Sequence, residues 1–284
     1  MPDSAMKTAS SRASSIPAGA TGSPALLRES IGSIAVLTLN RPHSRNALSG
    51  EMLGALQRAL ADIAASQGTR AVVLAAEGSV FSAGHDLKEV TAHRRDADGG
   101  QGYARQLMNS CSAVMLAMLR LPQPIIAAVE GTATAAGCQL VATCDLAVAS
   151  TVAKFCTPGV QIGLFCSTPM VALTRSVARK HAMEMLLTGN MISAEDAWRI
   201  GLVNRVVERG AAREQALALA RGIATRSKAV VKLGKQAFYR QIEMGVADAY
   251  AHASEVMVEN MMLHDAAEGI SAFVEKRPPH WDDR

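Results

Sequence analysis

Ile34-Ala35-Val36-Leu37-Thr38-Leu39 is an apolar, β-branched run of the kind a buried strand shows, and Arg41-Pro42 closes it. Upstream, a shorter strand pattern starts at Ala25 and turns at Gly32. Downstream, Ser49 stands before Met52, Leu53, Leu56, Leu60 and Ile63, so a hydroxyl N-cap and helical spacing predict an amphipathic helix. Strand, loop and helix then recur. Ala71 to Ala76, Ile125 to Val129 and Asp145 to Ala149 are further apolar runs, and a helix is expected from about Tyr103. Strand-before-helix repetition makes the fold class α/β, a largely parallel sheet with helices over its faces.

After about Ser167, strand-like runs nearly vanish. Helical periodicity continues to Phe273, punctuated at Gly189, Gly201 and Gly222. Segments 178–188, 211–225 and 246–263 are rich in Ala, Met and Leu on more than one face. That pattern admits two readings, a surface that meets another subunit or a core packed with adaptable methionines.

The 284 residues are 49% hydrophobic, ample for a core, and 29 Lys and Arg against 25 Asp and Glu give a formal charge of +4. No block of like charge marks a nucleic-acid-binding tail. No apolar run reaches the roughly 18 residues that span a bilayer, so a soluble chain is expected. Cys111, Cys138, Cys144, Cys156 and Cys166 are odd in number and show no C-x-x-C spacing. Neither a disulfide framework nor a zinc site is indicated, and a reducing compartment fits, the cytoplasm or alternatively the mitochondrial matrix. Residues 1–24, rich in Ser, Ala, Thr, Gly and Pro, read as a disordered tail or as an acid-poor transit peptide.

Two stretches have the form from which main-chain N–H groups can face a ligand. Phe81-Ser82-Ala83-Gly84-His85-Asp86-Leu87-Lys88 has a small, flexible Ala83-Gly84 pair, and its Asp86 is placed to open a helix. Gly131-Thr132-Ala133-Thr134-Ala135-Ala136-Gly137-Cys138 follows the third strand with tiny side chains where a helix begins. In one parallel sheet the two turns would lie together at the strands' carboxyl ends and offer two donors to an oxygen that gains charge. Two tight turns without a ligand is the plainer reading of the same residues.

Leu39-Asn40-Arg41-Pro42 with Asn46-Ala47-Leu48-Ser49, then the 81–89 stretch, then 131–145, resemble in order and separation the signatures of the enoyl-CoA hydratase/isomerase (crotonase) superfamily. The resemblance extends to 192–197, 201–203 and 268–277, and residues 133–149, 157–160 and 163–169 resemble one subgroup of it. It implies a crotonase (ClpP/crotonase-like) fold. Residues 25–205 would form a core of ββα repeats wound as a spiral, and residues 206–284 a C-terminal helical region that joins subunits into a trimer or a dimer of trimers. It implies that the N–H groups of His85 and Ala136 form an oxyanion hole for the thioester carbonyl of an acyl-coenzyme A, held as substrate or ligand rather than as a permanent cofactor. Ser44, Arg45, Ala83, Asp86 and Leu87 would line the coenzyme path, with Phe273 and Lys276 closing over it from the same or a neighbouring subunit. Taken alone, Lys276 reads as a solvated helix-end cation.

Hydration needs a group to activate water and one to protonate the α-carbon, and the hydratases use two glutamates. The resemblance puts Gln139 at the first position and Gly159 at the second. An amide can orient a water but cannot take its proton. Glu130, Asp86, Asp145, His85 and Cys166 are the possible replacements. Asp86 also reads as a helix N-terminal acid, Asp145 as a strand-start residue and Cys166 as a small core residue, while the His85 imidazole has a pKa suited to proton transfer. Where hydratases carry a glycine-rich turn, Phe165-Cys166-Ser167-Thr168-Pro169 follows Gly163 and reshapes the acyl pocket. Three functions stay open: an acyl-CoA enzyme, a non-catalytic acyl-CoA-binding or regulatory protein, and a scaffold without ligand.

Overall fold

A computed structural model describes residues 23–284; the expected N-terminal tail lies outside them except for its last two residues. Strands β1 (Leu26–Ile31) and β2 (Ile34–Leu39) form an antiparallel hairpin turned by Gly32 at φ 60°. In α1 (Gly50–Ala65) the Ser49 hydroxyl accepts the Met52 N–H at 3.2 Å, the cap expected from the sequence. Then follow β3 (Ala71–Ala76), β4 (Val80–Ser82), α2 (Leu87–His93), α3 (Gln101–Arg120), β5 (Ile125–Val129), β6 (Thr132–Thr134), α4 (Ala136–Thr143), β7 (Leu146–Ser150), β8 (Lys154–Cys156) and α5 (Ser167–Ser176). Each of β3, β5 and β7 is therefore followed by a three-residue strand before its helix, a ββα unit used three times.

The single sheet expected from the sequence is two sheets. The long strands form one of six in the order β1-β2-β3-β5-β7-β10, where β10 is Arg205–Val207. The short strands form a second, β4-β6-β8-β9, with β9 at Ile192–Ser193 between α6 (Arg179–Thr188) and α7 (Ala194–Arg199). β2, β3 and β5 are buried at nearly every position because both faces of the long sheet are covered, so their residues run apolar without alternation.

One face of that sheet packs on α1, α3, α4 and the short sheet; the other is covered by α8 (Ala212–Ala224) through Ala212, Ala216, Leu217 and Ala220. The core boundary expected at 205 thus falls at the start of β10, and the core continues through α8. Gly222, expected to punctuate, lies inside that helix. The remaining helices are α9 (Lys228–Gln241), α10 (Val246–Met261) and α11 (His264–Glu275).

Two polar fastenings hold this last part down. Lys235 of α9 donates to Asp145 at 2.7 Å and to the Gln123 carbonyl at 3.0 Å, and the Tyr239 hydroxyl donates to the same carboxylate at 2.9 Å. The Asp265 carboxylate accepts the Asp282 and Asp283 N–H groups at 2.8 and 3.0 Å, Asp283 accepts the Lys228 N–H and pairs with Arg70, and the Trp281 indole donates to the Thr225 carbonyl. Between these fastenings α10, Met262 just after it, and α11 expose Tyr250, Met257, Met262, Ile270, Phe273 and Val274. Among the described residues no helix is long and apolar enough to cross a membrane.

Candidate functional site

β4 and β6 are parallel neighbours, so the turns that follow them leave the same end of the short sheet. The Thr134 hydroxyl laces them together by donating to the Ala83 carbonyl at 3.0 Å, and the Ala135 N–H anchors the second turn to the Cys156 carbonyl of β8 at 2.9 Å. Gly84 sits at φ 86°, and a methyl added to it would lie 2.9 Å from Ala135 Cβ and 3.2 Å from the Ala136 nitrogen. Only glycine lets the chain entering His85 pass this close to the start of α4.

Ala136 is the first residue of α4, where an N–H has no partner within the helix. Among the described residues, neither its N–H nor that of His85 donates to a protein acceptor. Ala135, at φ 50° and ψ −120°, holds a conformation that costs an alanine on the order of 1–3 kcal/mol. The strain is stored beside the free donor.

Segment 44–48 supports the first turn. The Ala83 N–H donates to the Arg45 carbonyl at 3.0 Å and the Leu48 N–H to the Gly84 carbonyl at 2.7 Å. Asn46, fully buried, bonds the Arg41 N–H and the Glu77 and Val80 carbonyls, each at 2.8 Å, and so fixes where β3 ends and β4 begins. Ala83 is thereby tied to Arg45; Ser44, Ala83 and Asp86 are half-buried, and Arg45 and Leu87 are exposed. Phe273 and Lys276 are elsewhere: α11 makes its main contacts with α9 and α10, Phe273 is 84% exposed, and Lys276 caps the helix in a left-handed conformation. The strut role of Asn46 left no sign in periodicity, since a loop asparagine looks like any turn residue.

Gln139 is buried on α4, three residues beyond Ala136, and its Oε1 faces the Cys111 thiol at 4.0 Å. Gly159 is buried too, and a methyl there would meet Cys166 Sγ and the Leu164 carbonyl, both at 2.9 Å. The 164–166 turn fills the space a side chain would need.

Most of the possible replacement acids have other work. Glu130 accepts the Gly210 and Ala212 N–H groups at 2.9 and 2.6 Å and caps α8. Asp145 holds Lys235, Tyr239 and the Ile125 N–H. Asp86 caps α2, accepting the Lys88 N–H at 2.8 Å. Burial pushes the Cys166 thiol up, so it stays protonated. His85 differs: its Nδ1 lies 3.4 Å from the Leu48 carbonyl, its Nε2 is buried without a partner among the described residues, and burial lowers its pKa. The imidazole is neutral near pH 7.

The family model for enoyl-CoA hydratase/isomerase matches residues 29–284. The chain belongs to the enoyl-CoA hydratase/isomerase family. This family member is 48% identical over 267 residues to rat enoyl-CoA hydratase domain-containing protein 3, mitochondrial, covering 93% of this chain and 87% of the relative. Among solved structures, an enoyl-CoA hydratase from Mycobacterium smegmatis is 51% identical with a TM-score of 0.87, covering 91% of this chain and 99% of that one. The human domain-containing protein 3 is 45% identical with a TM-score of 0.85, covering 90% and 100%. The family, the crotonase fold and the subgroup resemblance read from the sequence are thus shown.

Proposed function

We propose that this hydratase/isomerase-family chain binds an acyl-CoA with its thioester oxygen between the N–H groups of His85 and Ala136, and that it catalyses an acyl-CoA reaction other than ready hydration. The approach of Gly84 to the Ala136 nitrogen carries this reading, because it brings into contact two turns whose His85 and Ala136 N–H groups have no protein acceptor among the described residues. Removing a proton from the α-carbon leaves an enolate whose negative oxygen such donors stabilise, the step that isomerisation, decarboxylation and hydration share. Ser44, Arg45, Ala83, Asp86 and Leu87 form the rim for the coenzyme, and Phe273 and Lys276 close over it from a neighbouring subunit of a trimer or a dimer of trimers, which the exposed apolar face of α10 and α11 supports. Relatives named as mitochondrial support the matrix over the cytoplasm.

Hydration is weak in this reading because Gln139 and Gly159 stand at the glutamate positions. General acid–base catalysis typically supplies about 10²- to 10⁴-fold, so turnover of crotonyl-CoA should fall at least about 10²-fold below that of a glutamate-bearing relative. The closed space at Gly159 also favours a second reading, a non-catalytic acyl-CoA-binding protein. Calorimetric titration with butyryl-CoA and with butyl-CoA thioether, which lacks the carbonyl, tests the binding claim. Two hydrogen bonds worth about 0.5–1.5 kcal/mol each predict a roughly 5- to 150-fold preference for the ester. Equal affinity defeats the cradle. Solvent deuterium entering the α-carbon of butyryl-CoA would separate enzyme from binder.

A further inference from the structure

Ser82, the last residue of β4, is fully buried, and it touches both turns that carry the free donors. Its hydroxyl donates to the Asn46 carbonyl at 2.8 Å and accepts the N–H of Gly84, the residue before His85, at 3.3 Å. The single hydroxyl proton goes to Asn46, which leaves the oxygen's lone pairs for Gly84. On the other side, a methyl added to Gly137, the residue after Ala136, would lie 2.7 Å from Ser82 Cβ and would also meet the Ser82 carbonyl. One small side chain therefore stands between the residue before the first donor and the residue after the second. The register of β4 on β6 slips between Val80 and Ser82, so the ladder alone does not fix how far apart the two turns stand.

We propose that Ser82 is a positioning residue, which sets the separation of the His85 and Ala136 N–H groups and so how well both can bond one carbonyl oxygen. The inference rests on the carbonyl cradle proposed above and adds the side chain that tunes it. Two donors stabilise one oxygen only when both reach it at hydrogen-bond length and near-linear angle, so a small drift of either turn weakens the pair. Asn46, buried and bonded to Arg41, Glu77 and Val80, gives the Ser82 hydroxyl a rigid anchor. The hydroxyl in turn holds Gly84, whose φ of 86° aims the chain into His85. Alanine at 82 would keep the Cβ that meets Gly137 and remove only the oxygen that holds Gly84. Space-filling and positioning are thereby separable.

The test compares the native chain with Ser82→Ala and Ser82→Cys by calorimetry with butyryl-CoA and butyl-CoA thioether, and by the infrared carbonyl stretch of bound, isotope-labelled butyryl-CoA. Hydrogen bonds to the oxygen weaken the C=O bond, so the stretch should be lowered on the native chain. Ser82→Ala should lose about 2- to 13-fold of the ester-over-thioether preference, the worth of one hydrogen bond, and its carbonyl stretch should move back toward that of the free ester. Thioether affinity, which draws nothing from the donors, should stay within about twofold of native. Ser82→Cys, with a weaker donor and acceptor, should fall between the two. If Ser82→Ala keeps the native preference and stretch, or if ester and thioether affinities fall together, the positioning role is overturned while the cradle stands. Should Ser82→Ala not fold, Ser82→Cys decides alone: a reduced preference at unchanged thioether affinity supports the role, and native values overturn it. If the native chain itself shows neither ester preference nor a lowered stretch, both the cradle and this role fall.

Discussion

Lys235 and Asp145 meet at 2.7 Å with their side chains only 6% and 16% exposed, and they tie α9 to the start of β7 in the six-stranded sheet. Burial lowers the Lys235 pKa, and Asp145 works against that shift. Removing one partner leaves an uncompensated buried charge. Lys235→Met should therefore destabilise the chain by roughly 3–5 kcal/mol, read from urea denaturation, whereas the double change with Asp145→Asn should cost less than the two singles summed.

Gly84→Ala should damage the site more than the fold. The new methyl would press on Ala135 and the Ala136 nitrogen while holding φ 86°, so butyryl-CoA affinity should drop at least about tenfold for a stability loss of a few kcal/mol. Native-like affinity in a folded Gly84→Ala chain would separate the two turns from binding.

Gly159→Ala should cost about 1–3 kcal/mol by overpacking against Cys166 Sγ and the Leu164 carbonyl. Pairing it with Cys166→Ala should recover part of that, because one of the two blocking atoms is gone. For the same reason Gly159→Glu should unfold the 164–166 turn rather than create a hydratase. Hydration of crotonyl-CoA by that single variant would refute the steric account.

Glu130→Ala should lower stability by about 1–2 kcal/mol through the lost cap on α8 and leave acyl-CoA binding unchanged. Loss of binding without loss of stability would return Glu130 to the site.

His85 makes a prediction in pH. Its folded pKa is lowered below 6.5, so between that folded value and 6.5 the unfolded chain binds more protons, and stability falls as pH drops through the window. Below the folded value both states are protonated and this contribution is flat. His85→Gln, which keeps the main-chain N–H, should remove that part of the decline when denaturation is compared at about pH 7.5 and about pH 5.5. An unchanged slope would show that the imidazole is not buried.

The long strands, the Ser49 cap and the two small-residue turns were legible because each leaves a pattern that spans its whole element: apolar runs for strands covered on both faces, and missing side chains where main chain must approach. The short sheet was not. β4, β6 and β8 have three residues each, too few to show alternation, and they read as part of the loops that carry the turns. β10 was hidden the same way, so the core appeared to end before α8. At the site, the sequence could place Gln139 and Gly159 only as departures from a family pattern. That Cys166 folds back onto Gly159, and that Gln139 of α4 and Phe238 of α9 line one groove, depends on contacts between distant segments that no local period records.

Because the closing residues 281–284 are bonded to Thr225, Lys228 and Asp265, and α9 is pinned at Lys235, the stretch from 228 onward is buckled at both ends like a strap. Its bare face of Tyr250, Met262 and Phe273 is consequently presented in a fixed shape, and a subunit that docks there meets a surface with little disorder left to freeze. A carboxyl-terminal fusion, by prying up Trp281 and Asp283, would loosen the whole buckle.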